Sequence, residues 1–265
     1  MAEYAIICVA ALAAGVLNAM AGGGTLITYP ALLFALPGGS LVDANKVLAN
    51  TTSTVALFPG SFSAAWGYRH ELRAVSHWIR LLFWPSVVGG LIGSLLVTRL
   101  PESWFAALVP WLILTATLLF MLQPPIARMT GIGRAHAEPR ALAKVGVVVF
   151  QFLVSLYGGY FGGGIGILML SALALMGLSD IHQMNAAKAI LAGLMNGISA
   201  AVFIAEGKIV WTYAAAMAVS AIVGGYVGAR FSRRVPREAV RWVVIVIGLT
   251  LAAKFFYERW SLSAP

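Results

Sequence analysis

Two glycine triplets, Gly22-Gly23-Gly24 and Gly162-Gly163-Gly164, each precede a short apolar run. Without Cβ atoms a backbone can curl so that successive N–H groups converge, and a helix that starts there carries unpaired donors and a partial positive end. That combination is the chemistry of an anion cradle, with Thr25 at the start of the first helix. No lysine-serine continuation of a P-loop follows either triplet, so phosphate hydrolysis is not indicated. Glycine also permits close packing of membrane helices. Packing is the better reading for Gly89/Gly93 and Gly224/Gly228, which have small-xxx-small spacing. For the triplets, their recurrence at breaks between apolar runs favours the anion site.

Lys46 and Lys188 are the charges that need an explanation. Each follows a plausible cap (Asp43 or Asn45; Asn185), which predicts a place in the first turn of a helix. A cation there opposes the helix dipole by some tenths of a kcal/mol. A lysine near the centre of an apolar span costs roughly 2.5–3.5 kcal/mol. Two uses remain: snorkelling to the interface as an anchor, or facing a cavity and attracting an anion. Asn50, Thr51, Thr52 and Ser53 follow Lys46, and Asn196 and Ser199 follow Lys188. These side chains, and Asn18, suit either an oxyanion or hydrogen bonds between helices.

Other chemistries find no residues. All nine carboxylates lie at segment ends or in loops, so no intramembrane acid is available for a cation site or proton relay. His70, His77, His136 and His182 are peripheral and lack metal-ligand spacing, and no nucleophile–base pair lies deep in a span. The expectation is no enzyme, no metal and no cofactor.

The elements that carry these residues follow from composition. The 265 residues are 60% hydrophobic and 10% charged, with mean hydropathy +0.89. A soluble domain carries about 25% charge, so a cytosolic enzyme, a disordered chain and a nucleic-acid-binding domain are excluded. The net charge of +9 sits between apolar runs, where membrane proteins place positive charge to face the cytoplasm. The single cysteine, Cys8, allows no intramolecular disulfide.

Apolar runs occur at 3–21, 24–36, 44–67, 75–98 and 103–122, then at 142–161, 164–177, 183–205, 209–231 and 238–257. The first lacks a positive n-region and has a counterpart at 142–161, so it reads as mature structure rather than a cleaved signal. Runs 24–36 and 164–177 are too short to cross a hydrocarbon core of about 30 Å. Irregular backbone at that depth requires burial in protein or a polar cavity. Segments 3–36 and 142–177 therefore read as re-entrant or broken hairpins with the glycines near their tips.

The halves repeat. AMAGGGTLITYPALL aligns with GYFGGGIGILMLSAL, DANKVLANTT with NAAKAILAGL, and GGLIGSLLVTRLPE with GGYVGARFSRRVPR. The predicted fold is all-α and polytopic: transmembrane repeats at 1–122 and 142–265, joined by a basic cytoplasmic linker at 123–141. Matching loops exchange their positive charge. Arg69, Arg73 and Arg80 stand against Lys208 alone, whereas Arg99 alone stands against Arg230, Arg233, Arg234, Arg237 and Arg241. By the positive-inside rule the repeats are inverted and both chain ends lie outside. Inverted repeats with broken helices are a recurring plan of secondary transporters, which bind substrate near the midplane.

The motifs NAMAGGGTLITYPALL and ANKVLANTT, their counterparts YGGYFGGGIGIL and NAAKAIL, and the RLP and RVP endings together resemble the sulfite exporter TauE/SafE family of membrane transporters. The resemblance covers nearly the whole chain. It implies a multi-pass permease of the bacterial inner membrane for sulfite, a sulfonate or another small organic anion. The second copy departs from the first: Pro30 has no proline partner, and Asn50-Thr51 is matched by Ala192-Gly193. The expected site comprises Gly22, Gly23, Gly24, Thr25, Lys46, Asn50, Thr51, Gly162, Gly163, Gly164, Lys188 and Asn196. The expected partners are a small anion and the lipid bilayer, with no nucleic acid. A passive anion channel, and a membrane enzyme or assembly factor without transport, are the rival readings.

Overall fold

The computed structural model describes residues 2–36, 46–130, 141–232 and 237–263, and among them there is no strand. The first half supplies α1 (Ala2–Met20), α2 (Thr25–Ala35), α3 (Lys46–Gly67), α4 (Leu72–Arg99) and α5 (Glu102–Met121). After α6 (Gln123–Thr130), the second half supplies α7 (Ala141–Tyr160), α8 (Ile165–Leu175), α9 (Ile181–Ala205), α10 (Trp211–Phe231) and α11 (Arg237–Ser263). Every apolar run is thus a helix. The short α6 occupies the start of the expected linker; Pro124 and Pro125 fit its first turn, where a missing N–H costs nothing. Asp43, Asn45 and the side chains of Arg233, Arg234, Arg237 and Arg241 lie outside the described residues.

Among the described residues, five helices, α1, α4, α5, α9 and α10, are long and apolar enough to cross a membrane. The outer surface is apolar: Val9, Trp84, Val219 and Val246 are exposed. Exposed Trp66, Trp104, Trp211 and Trp242 stand near helix ends, as in the aromatic belts of membrane proteins. Polarity is turned inward. Asn50, Thr51, Thr52, Ser53 and Thr54 form a run on α3 that is buried throughout.

Helix α2 folds back along α1. A Cβ at Gly24 would lie 2.7 Å from Ala14 O, and Pro30 shares a groove with Ala10. At the far end, the Tyr213 hydroxyl donates to Ala35 O at 2.9 Å and reaches Glu3 Oε2 at 3.3 Å. The end of α2 has therefore returned to the start of α1. With 11 residues, α2 covers about 16 Å, a re-entrant hairpin rather than a span.

Glycine stripes set the helix pairs. Gly89 and Gly93 of α4 press on the α7 backbone at Phe152 and Leu156, and Gly224 and Gly228 of α10 press on α1 at Leu12 and Val16. The small-xxx-small reading thus holds for both. The first helix of each half packs on the fourth helix of the other half. Likewise α3 packs on α10 and α9 on α4, while α3 meets α9 and α5 meets α11.

Candidate functional site

The two hairpin tips meet. A Cβ on Gly22 would overlap the backbone of Gly166, and one on Gly162 would come within 3.2 Å of Thr25 Oγ1. Gly22 (φ +80°) and Gly162 (φ +84°) hold the left-handed backbone that the turns require. Beside this contact lies a small hollow of about 20 Å³ whose wall includes Asn18, Thr25, Ser61, Gly166, Lys188 and Asn196.

The wall is rich in donors. Lys188 is 1% exposed, and its Nζ donates to Asn185 Oδ1 at 2.8 Å and to Ala19 O at 3.2 Å. Ala19 O is one of the carbonyls left over at the end of α1, where a cation is favoured. The Tyr68 hydroxyl approaches the same carbonyl at 3.3 Å. The hollow therefore lies toward the α3–α4 connection, the end that carries Arg69 and Arg73. The Asn196 side chain and the backbone amides of Thr25, Ile165 and Gly166 make no hydrogen bond to the described residues. Among the described residues, no carboxylate lines the hollow. An ammonium, a carboxamide and helix-start amides converging without an acid are suited to an oxyanion.

The other predicted residues sit differently. Gly24 donates its N–H to Asn18 Oδ1 at 2.7 Å, so a side chain already caps α2. Gly23 packs against the Phe120 ring, and Gly163 and Gly164 pack against Ala116. Only the first glycine of each triplet borders the hollow. Lys188 is not in a first turn: α9 begins at Ile181, capped by Asp180, whose side chain accepts from His182 N at 2.7 Å. That start buries Lys188 two turns deep, about 10 Å along the axis.

Lys46, Asn50 and Thr51 do not border this hollow. Lys46 Nζ lies over the Phe255 ring, 5.7 Å from its centroid. Asn50 Nδ2 donates to Tyr160 O at 3.1 Å. Thr51 Oγ1 donates to Lys208 O and to Leu48 O. Around them the α9–α10 connection is tied down. Lys208 Nζ donates to Thr98 O at 3.0 Å, Val210 N to Thr52 Oγ1 at 3.1 Å, and Arg99 pairs with Glu206 at 2.9 Å. A second cavity, about 90 Å³, lies at this end between Val47, Leu48, Val97, Leu100, Glu102 and Lys208.

Sequence reasoning passed over Ser61 and Gly166. Gly166 had a signal, being a fourth glycine directly behind the second triplet in GGGIG. Its contact with Gly22 belongs to the other half of the chain, which local spacing does not reveal.

Sequence comparisons find relatives over nearly the whole chain. Residues 7–255 match the profile of the family described as "Sulfite exporter TauE/SafE". The chain belongs to the sulfite exporter TauE/SafE family. It is similar to a "Probable membrane transporter protein" of Haemophilus influenzae, at 28% identity over 96% of this chain and 95% of that protein. It is also similar to the "Probable membrane transporter protein YfcA" of Escherichia coli, at 26% identity over 94% and 87% of the two chains. The "Probable membrane transporter protein YunE" of Bacillus subtilis is 24% identical over 97% and 98%. The TauE/SafE family chain is thus a multi-pass membrane protein of a transporter family.

Proposed function

We propose that the protein carries a small oxyanion of the sulfite or sulfonate class across the inner membrane of a bacterium by alternating access, moving it outward. The donor-lined hollow carries this reading: Lys188, Asn196 and the bare amides of Thr25, Ile165 and Gly166 converge there with no acid among them. Low dielectric strengthens each of these contacts.

The helix order supports inverted repeats. A hairpin that returns to its own side leaves three crossings per half, α3–α5 and α9–α11, and an odd number turns the second copy over. The exchange of α1 and α7 between α10 and α4 is the pairing that a two-fold relation produces. By the positive-inside rule, the end with Arg69, Arg73 and Arg80 faces the cytoplasm, so the Lys188 hollow takes its ligand from inside. A free volume of about 20 Å³ admits little more than a water. A trigonal oxyanion requires the tips to part, which favours a carrier that occludes its ligand over an open pore.

The test is flux of radiolabelled sulfite and methanesulfonate in proteoliposomes of the full chain. Asn196→Leu, at a side chain with no hydrogen-bond partner among the described residues, should raise half-saturation about tenfold, equivalent to about 1.4 kcal/mol. Saturable flux that ignores both Asn196→Leu and Lys188→Met would remove the hollow from the mechanism.

A further inference from the structure

Asn50, Tyr29 and Tyr160 hold three of the four buried side-chain polar atoms that lack a hydrogen-bond partner among the described residues: Asn50 Oδ1, Tyr29 Oη and Tyr160 Oη. All three meet the end of α7. Asn50 Nδ2 donates to Tyr160 O, the Tyr160 ring packs on Phe105 at 5.5 Å, and the Tyr29 ring stands edge-on to Phe161 at 5.7 Å. Buried polar atoms are normally paired, so a cluster of orphans needs a reason. The amide orientation of Asn50 is fixed, because Tyr160 O can only accept; Oδ1 is therefore the free acceptor.

The repeat gives this cluster its place. Aligning Lys46 with Lys188 pairs Val47 with Ala189 and Asn50 with Ala192. Ala189 and Ala192 border the Lys188 hollow, and Val47 borders the cavity of about 90 Å³ at the opposite end. Asn50 follows Val47 by three residues, on the same helix face and one turn deeper. The cluster thus lies below the outer cavity as the Lys188 hollow lies at the inner end.

We propose that Tyr29, Asn50 and Tyr160 form a second, outward-facing ligand station that takes a monoprotonated oxyanion. The inference rests on the transport reading above. The two phenol hydroxyls donate to oxyanion oxygens, and Asn50 Oδ1 accepts the ligand's own O–H. A hydrogensulfite-type ion offers both groups, whereas a sulfonate offers acceptors alone. The inner station holds a lysine, whereas the cavity above the outer one carries both Glu102 and Lys208, so the ligand is held more strongly where it enters than where it leaves.

The experiment measures half-saturation from each face, in right-side-out and inside-out vesicles, with hydrogensulfite and methanesulfonate as probes. Tyr29→Phe and Tyr160→Phe, which delete only hydroxyls, should raise the outer-face value for both probes about fivefold and move the inner-face value less than twofold. Asn50→Leu should raise the outer-face value for hydrogensulfite alone. Equal shifts at both faces, or no shift in variants that still transport, would overturn the outer station and leave the Lys188 reading standing. Absence of saturable flux in the unaltered protein would overturn both.

Discussion

Helices α3 and α9 do the same structural job with different chemistry. Each reaches across to the other half and bonds a carbonyl at the end of its first helix. Asn50 of α3 donates to Tyr160 O, and Lys188 of α9 donates to Ala19 O. The first capping group is neutral and the second charged. A duplicated scaffold can thus preserve its packing while its two ends diverge in polarity. The lysines make the same point: they align in the repeat, yet Lys188 borders the central hollow and Lys46 rests on Phe255.

The largest effect should come from the contact between the tips, where the halves can be compared directly. Gly22→Ala would force a Cβ into the Gly166 backbone and hold a non-glycine residue at φ +80°. Gly162→Ala meets a similar φ, but its nearest neighbour is a side-chain hydroxyl at 3.2 Å. The left-handed backbone alone costs roughly 1–2 kcal/mol. Gly22→Ala should therefore abolish transport and lower the thermal midpoint of the detergent-purified protein by more than Gly162→Ala does. Equal losses would mean that φ, and not the contact between tips, dominates.

Lys188→Met comes next. It removes the lysine that borders the inner hollow, together with the bond to Ala19 O. Sulfite flux should fall at least tenfold. Lys188→Arg, which keeps the charge in a different shape, should retain part of it. Asn18→Ala tests the tip from the other side by uncapping α2 at Gly24, and should cost about 1 kcal/mol of stability. Its readout is the thermal midpoint together with half-saturation, since the same side chain borders the hollow.

The helices were legible because each apolar run is bounded by charge, glycine or proline. The start of α9 was not: Asn185 has the residue type of a cap, but Asp180 supplies the cap one and a half turns earlier. Missing that start misplaced Lys188 from a buried position to a helix end. The hollow was legible only in part. Gly22 and Gly162 announced themselves by type and recurrence, whereas the packing of Asn18, Phe120 and Ala116 against the remaining triplet glycines left no mark in their spacing. Spacing within one segment cannot reveal which atoms another half of the chain will bring. Nor does alignment between repeats transfer an environment, since Asn50 and Ala192 share a register and differ in every polar contact.

The smallest effect is expected at Lys46, and it gives the comparison its control. Its ammonium faces the Phe255 ring at 5.7 Å, a cation–π contact worth about 0.5–1 kcal/mol at an exposed site. Lys46 does not border either the inner hollow or the outer cavity. Lys46→Met keeps an apolar chain of similar length against the ring, so sulfite flux from either face should stay within twofold of the parent. The thermal midpoint should drop by no more than a few degrees. If instead Lys46→Met silenced flux as Lys188→Met does, the aligned lysines would have to serve one ligand from both sides of the membrane. The lysine station at the inner end and the Tyr–Asn station at the outer end would then be properties of one conformation, exchanged when the tips part.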